Sequence, residues 1–229
     1  MLISEKELKL IVSVEGGNQV LNELKDTSKI DNFNLVSSND LIIQDSYLDS
    51  ESFLLAKNNS YLRIRSKDGT HLITFRHEIY ENNQIQIDEI THSMNDAGVN
   101  LAFSKLKEYG YLKENPDFLK PFYSEIFLSS GFREVIRLST KRNEKELYME
   151  DVKIGNIKFD EFFYHYYNPD SIFYEIEIDT YRRVFYASVL EFLDLLKKRY
   201  NYRVEKQPIS KYKRGLKLIY NISIPTLEV

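Results

Sequence analysis

Two short stretches place carboxylates at every second position. SEKELKLIV (4–12) carries Glu5 and Glu7, followed at the same spacing by Lys9; SIFYEIEIDT (171–180) carries Glu175, Glu177 and Asp179. Clustered carboxylates without thiol or imidazole partners suit a hard cation, Mg2+ or Mn2+. The chain has no Cys, and its four His, at 71, 77, 92 and 165, show no metal-ligand spacing. Disulfides, thiolate metal sites and thiol nucleophiles are therefore excluded. Other stretches are basic in the same rhythm. YLRIRSK (61–67) presents Arg63, Arg65 and Lys67, and HLITFRHEIY (71–80) presents Thr74 and Arg76. GFREVIRLSTKR (131–142) presents Arg133, Arg137 and Lys141, with Arg142 on the opposite parity, and Lys158 alternates with Asp160 in NIKFDEFFYHYY (156–167). Several Arg and Lys converging from different strands suit a polyanion with many oxygens, such as a triphosphate. Acidic and basic sets together suggest metal-assisted phosphoryl chemistry. The metal lowers the pKa of a water or polarises a phosphoryl oxygen, and the basic side offsets charge as it develops.

A spacing of two means a strand, with these side chains on one face. For a single half-buried strand, such a face ordinarily meets water. Here the first strand and one of the last are acid-rich, and the central ones are base-rich. An antiparallel sheet of about eight strands, closed on itself, would pack its apolar faces outward against helices and line a lumen with its charges. The strands expected are 2–13, 41–49, 61–67, 71–80, 83–91, 131–142, 145–155, 156–167 and 171–180. Asp68-Gly69 between the third and fourth is a hairpin signal. Helices are expected over 17–30, 94–109 (capped by Ser93 or Asp96), 181–200 and 209–220, and YLKENPDFLKP (111–121) reads as a linker. No repeat or low-complexity segment interrupts the chain. QIQIDEIT (84–91) offers Asp88 on one parity and Glu89 on the other, and does not say which faces the charged side.

The 229 residues are 42% hydrophobic, enough for a real core; 17 Tyr and 14 Phe against 8 Gly and 5 Pro suit aromatic-rich strands with few long loops. Net charge is −4 from 31 basic and 35 acidic residues, which gives no support to a general nucleic-acid surface. MLISEKELKL lacks a basic segment followed by an apolar one, and no window approaches eighteen apolar residues. The expectation is a cytoplasmic protein without a membrane partner. A homodimer through outward-facing helices is compatible with the pattern, though no residue pattern shows one.

EKELK (5–9) matches the Glu-x-Glu-x-Lys signature of the CYTH domain, or triphosphate tunnel metalloenzyme, superfamily. YLRIR (61–65) resembles that family's Leu-Arg-x-Arg strand, and LITFR (72–76) its Leu-Thr-x-Lys strand. GFREVIRLSTKR resembles the second-half strand ending in Lys-Arg, YEIEI (174–178) the late Glu-x-Glu strand, and SKYKRGL (210–216) the late Ser-Lys segment. The resemblance covers nearly the whole chain in the right order. It implies an α+β fold, residues 1–229 forming one eight-stranded antiparallel tunnel with helices outside. It implies metal-dependent hydrolysis of an inorganic or small organic triphosphate. Glu5, Glu7, Glu175, Glu177 and Asp160 would hold Mg2+ or Mn2+. Lys9, Arg63, Arg65, Arg76, Arg142, Lys158 and Lys211 would grip phosphates, with Arg137 competing with Arg142 for its place. Glu5, Glu7, Lys9, Arg63 and Arg65 would be the catalytic centre. Departures are Arg76 for the family's lysine, the absence of Arg or Lys from QIQIDEIT, and a Tyr-rich insert, YHYYNPD (164–170). The other readings are a class IV-type adenylate cyclase, an RNA 5′-triphosphatase, a polyphosphate or nucleotide sensor, and a structural barrel. The acidic net charge argues against a long nucleic-acid footprint.

Overall fold

The computed structural model describes residues 6–12, 16–81, 84–112, 116–180, 182–201, 203–206 and 209–222. Glu5 lies outside them, and so do the side chains of Lys6 and Glu7, although their backbone does not. In chain order the elements are β1 (Lys6–Val12), α1 (Gly17–Asp26), β2 (Lys29–Ile30), β3 (Phe33–Asp49), α2 (Leu54–Lys57), β4 (Ser60–Lys67), β5 (Thr70–Glu81) and β6 (Gln84–Ser93). Next come α3 (Asp96–Glu108), α4 (Tyr123–Ser129), β7 (Arg133–Met149), β8 (Val152–Tyr164) and β9 (Phe173–Thr180). A 3-10 turn at Arg183–Phe185 leads into α5 (Tyr186–Arg199), then β10 (Val204–Lys206) and α6 (Lys211–Tyr220). Among the described residues no helix is long and apolar enough to cross a membrane.

The chain forms two compact units. The first comprises Met1–Ile42, Thr140–Phe163 and Pro169–Pro208; the second comprises Ile43–Ser139, Tyr164–Asn168 and Ile209–Val229. Strand order in the first is β10-β1-β9-β8-β7-β3, with β2 beside β3; in the second it is β7-β3-β4-β5-β6. Eight strands have seven residues or more, and β2 and β10 are short additions. Among the described residues the eight antiparallel strands that the resemblance implies are thus present, one fewer than the nine segments read from alternation. The hydrogen-bonded order is open, however: among the described residues no ladder joins β10 to β6.

In the first unit, alternation along β1 buries Leu8, Leu10 and Val12, and the same face of β8 and β9 buries Ile157, Phe159, Ile176 and Ile178. Val20, Leu21 and Leu24 of α1 and Val189, Phe192, Leu193 and Leu196 of α5 cover them. Each such side chain contributes about 1.5–3 kcal/mol by leaving water. The helix α1 ends at Asp26 rather than residue 30 because Thr27 adopts extended backbone. Ile30 and Phe33 then pair across a two-residue turn, with Asp31 at φ 53.

In the second unit, Leu62, Ile73 and Phe75 meet Val99, Ala102, Phe103 and Leu106 of α3. Asn95, rather than Ser93 or Asp96, caps α3: its side chain accepts from the Gly98 amide at 2.9 Å. Asp68 and Gly69 both take positive φ, 48 and 72, between the paired Lys67 and Thr70, as a tight hairpin requires. The linker reading of 111–121 does not anticipate α4, which follows it. Nor does β7 break after residue 142. It runs on to Met149 and turns at Glu150, where φ is 54.

Candidate functional site

The acidic face of the first unit is built on three neighbouring strands. Glu175, Glu177 and Asp179 alternate along β9, opposite the side that carries Tyr174, Ile176 and Ile178. Register sets Lys9 of β1 across from Glu177 on one side and Lys158 of β8 across from it on the other. Asp160 faces Glu175, and Glu7 faces Asp179 at the level of the backbone. Asp160 and Glu175 are wholly buried and Glu177 nearly so. Carboxylate oxygens of these three converge to within 4.8 Å of one another.

Three carboxylates buried together repel one another unless cations answer them. Arg142, on the next strand β7, does so. Its Nε donates to Asp160 Oδ1 at 2.7 Å, and its Nη2 donates to Asp160 Oδ2 at 2.5 Å and to Glu177 Oε2 at 2.7 Å. Burial works against the guanidinium charge, yet Glu177 and Asp160 hold its pKa well above the ordinary value. Lys9 Nζ lies 3.8 Å from Glu177 Oε1. Lys158 leans away from Glu177 and pairs with Asp179 instead. The donor set is all oxygen, buried, and within the span of one small ion. It fits Mg2+ or Mn2+ and offers nothing to a soft metal.

The basic face of the second unit is built on β3, β4, β5 and β6. Arg65 reaches Asp45 with a two-pronged contact, Nε to Oδ1 and Nη2 to Oδ2, both at 2.7 Å. Arg63 Nε is 4.0 Å from the same carboxylate, and its Nη2 donates to Thr74 Oγ1 at 3.4 Å. Burial pulls the Arg63 pKa down, but Tyr61, Tyr47 and Asp45 more than reverse it. Arg76 donates to Glu78 at 3.1 Å and to Glu89 at 3.2 Å. Lys213 Nζ reaches Glu78 at 3.3 Å.

The register answers which residue of QIQIDEIT joins the charged face. Glu89 sits across from Arg76 and so shares that face, whereas Asp88 sits across from His77. Lys105 of α3 and Tyr109 donate to Asp88 at 2.8 and 2.6 Å, and Lys105 first among them holds its carboxyl below the ordinary range.

Lys211 opens α6 and is largely buried; its carbonyl accepts from Tyr164 at 2.7 Å. Arg137 is not with Arg142. It is half exposed and pairs with Glu134, three residues away, at 3.0 Å. Lys141 is more exposed still and pairs with Glu161. Parity had grouped Arg137 with Lys141, and the structure separates both from the acidic cluster.

Three residues had no assigned role in the sequence. Asp45 fixes Arg65; a carboxylate in the apolar run LIIQDSYLD was its only signal. Asp179 takes Lys158, as the third member of the Glu-x-Glu-x-Asp row. Asp49, fully buried, accepts from the amides of Ser50, Leu55 and Ala56 and from the Tyr212 hydroxyl at 2.9 Å. Tyr212 also stacks on Tyr47, ring centroids 4.7 Å apart. This ties α6 to β3 inside the second unit, and nothing local in sequence links residues 163 positions apart.

No curated protein sequence matches the chain. Solved structures do. A Hippeastrum protein studied as an adenylyl cyclase, and reported to have a dominant triphosphatase activity, superposes with a TM-score of 0.54 at 16% identity; the match covers 98% of this chain and 99% of that one. An adenylate cyclase candidate from Bacillus halodurans gives a TM-score of 0.54 at 18% identity, covering 92% of this chain and 96% of that one. At such identities the likeness is one of fold. The model of the CYTH domain matches residues 4–210, from just before EKELK to Ser210, the residue that caps α6. The alternating acidic and basic strands and that match agree over nearly the whole length, and the chain belongs to the CYTH domain family.

Proposed function

We propose that this protein is a metal-dependent triphosphatase acting on an inorganic or small organic triphosphate. The observation that carries the reading is the buried convergence of Asp160, Glu175 and Glu177, flanked by Arg142, Lys9 and Lys158. Three cations stand beside these carboxylates and Asp179, so acidic and basic groups meet at one place on the sheet. A site built for a metal and a polyanion needs both signs side by side.

Asp160, Glu175 and Glu177 are the proposed metal ligands of the first unit, with Glu5 and Glu7 joining them as the family signature implies. A divalent ion held there would supply Lewis-acid chemistry, polarising a phosphoryl oxygen and lowering the pKa of a water. Lys9, Arg142 and Lys158 are proposed phosphate contacts in the first unit. Arg63, Arg65, Arg76 and Lys211 are proposed for the same role in the second. Asp45 holds the Arg65 fork in one orientation, so less side-chain entropy is lost when an anion arrives. The names of the two solved relatives favour keeping an adenylate cyclase as the second reading.

The purified protein is incubated with tripolyphosphate, ATP, thiamine triphosphate or triphosphate-ended RNA, each with Mg2+ or Mn2+. Phosphate, pyrophosphate and cyclic AMP are all measured. Orthophosphate release that needs the metal is the expected result. Pyrophosphate with cyclic AMP establishes the cyclase instead, and binding without turnover establishes a sensor.

A further inference from the structure

The acidic cluster already holds a cation of the protein's own. Arg142 covers both oxygens of Asp160 and one of Glu177, at 2.5–2.7 Å. Lys9 stands 3.8 Å from the other Glu177 oxygen. Lone pairs that accept from a guanidinium are not at the same time free for a metal. A divalent ion brought among these carboxylates would also meet the guanidinium charge at close range, with little water to screen it: the Arg142 side chain is 10% exposed and Asp160 is not exposed at all. A displaced guanidinium so deeply set needs another anion. Phosphate oxygens accept the same two-pronged fork that Asp160 accepts now.

Lys158, like Lys9, is placed in register to neutralise the cluster. It faces Glu177 in register, yet it pairs with Asp179, one row along β9. The fold thus gives Asp160 and Glu177 to the arginine and turns Lys158 to Asp179.

We propose that Arg142 is an exchangeable counter-cation: it neutralises Asp160 and Glu177 in the metal-free protein and passes to phosphate oxygens when a metal enters, so that metal and triphosphate bind with positive coupling. The inference rests on the proposed metal-dependent action on triphosphates. By linkage the coupling is reciprocal, since whatever draws Arg142 away from the carboxylates favours the metal, and the converse holds equally.

Mn2+ is titrated into the intact protein alone, without any phosphate, and free Mn2+ is read by electron paramagnetic resonance. Arg142→Gln should bind Mn2+ on the order of tenfold more tightly than the wild type, within the usual range of such couplings. Arg142→Lys, which keeps the charge but not the fork, should fall between them, and Glu177→Gln should bind more weakly. In parallel, the Arg142 Nε–H signal of 15N-labelled wild type, identified by its absence from Arg142→Lys, should shift as Mg2+ is added. This second measurement decides the matter if Arg142→Gln does not fold. Equal or weaker Mn2+ affinity in Arg142→Gln, or an Nε–H signal unmoved by saturating Mg2+, overturns the exchange. If metal-dependent turnover persists in the wild type, the triphosphatase reading survives that result. If Glu177→Gln leaves Mn2+ affinity unchanged, the exchange and the metal site fall together.

Discussion

Replacing Asp45 by Asn tests whether the basic face depends on a carboxylate that lies outside every family motif quoted above. Asp45 is 2% exposed and accepts two bonds from Arg65 at 2.7 Å, with the Arg63 Nε 4.0 Å away. A hydrogen bond to a charged group contributes about 1.5–3 kcal/mol. Asn keeps one acceptor and loses the charge, so roughly one such bond is lost. Arg65 is itself about a quarter exposed and regains some hydration, which brings the net cost to about 2 kcal/mol rather than the 3–5 kcal/mol of a fully buried broken pair. For a chain of this size each kcal/mol moves the melting temperature by about 2–4 °C, so thermal denaturation should show a loss of about 4–8 °C. The freed arginines also pay more entropy to meet a phosphate. KM for the triphosphate should rise about tenfold, or about 1.4 kcal/mol, with a smaller change in kcat. A melting temperature within 1 °C of the wild type and a KM within twofold would refute the reasoning, because Asp45 would then be neither a clamp nor an orienter.

Arg142→Gln should cost at least tenfold more in kcat/KM than Arg137→Gln, since Arg142 is bound to two buried carboxylates while Arg137 is half exposed in an i, i+3 pair of the kind worth little; equal losses would restore the parity-based choice. Burial pushes the Tyr47 phenol up from 10.0 to about 12. The folded state therefore holds that proton more tightly than the unfolded chain, and the stability it contributes is fully present below pH 10 and lost as pH rises toward 12. Tyr47→Phe should flatten the fall in denaturant midpoint over that window, and an unaltered slope would contradict the assignment. Gly155→Ala would bring a Cβ to 2.1 Å from the Asp179 carbonyl oxygen, so the β8–β9 ladder must shift at a cost of about 1–3 kcal/mol; an unchanged melting temperature would show that this close approach is not needed.

Much of this protein is legible along the chain. Period-two alternation in SEKELKLIV and YEIEI put Leu8, Leu10, Ile176 and Ile178 into the core and Lys9, Glu175 and Glu177 on the other face, because successive strand side chains must point opposite ways. Asp68-Gly69 announced its hairpin because few residue pairs take two positive φ values cheaply. The order of the motifs disclosed the family.

Tertiary structure decided what alternation leaves open, namely which strand lies beside which and in what register. Glu89 joins the charged face and Asp88 turns to α3 because Arg76 pairs across from the one and His77 across from the other. Arg142, rather than Arg137, meets Asp160 and Glu177 because β7 runs unbroken past residue 142 alongside β8. Asp49 and Tyr212 are joined only by the packing of α6. A sequence states which faces are charged. Only the ladder states which charges answer each other, because opposite groups at a few ångströms come from residues tens to hundreds of positions apart.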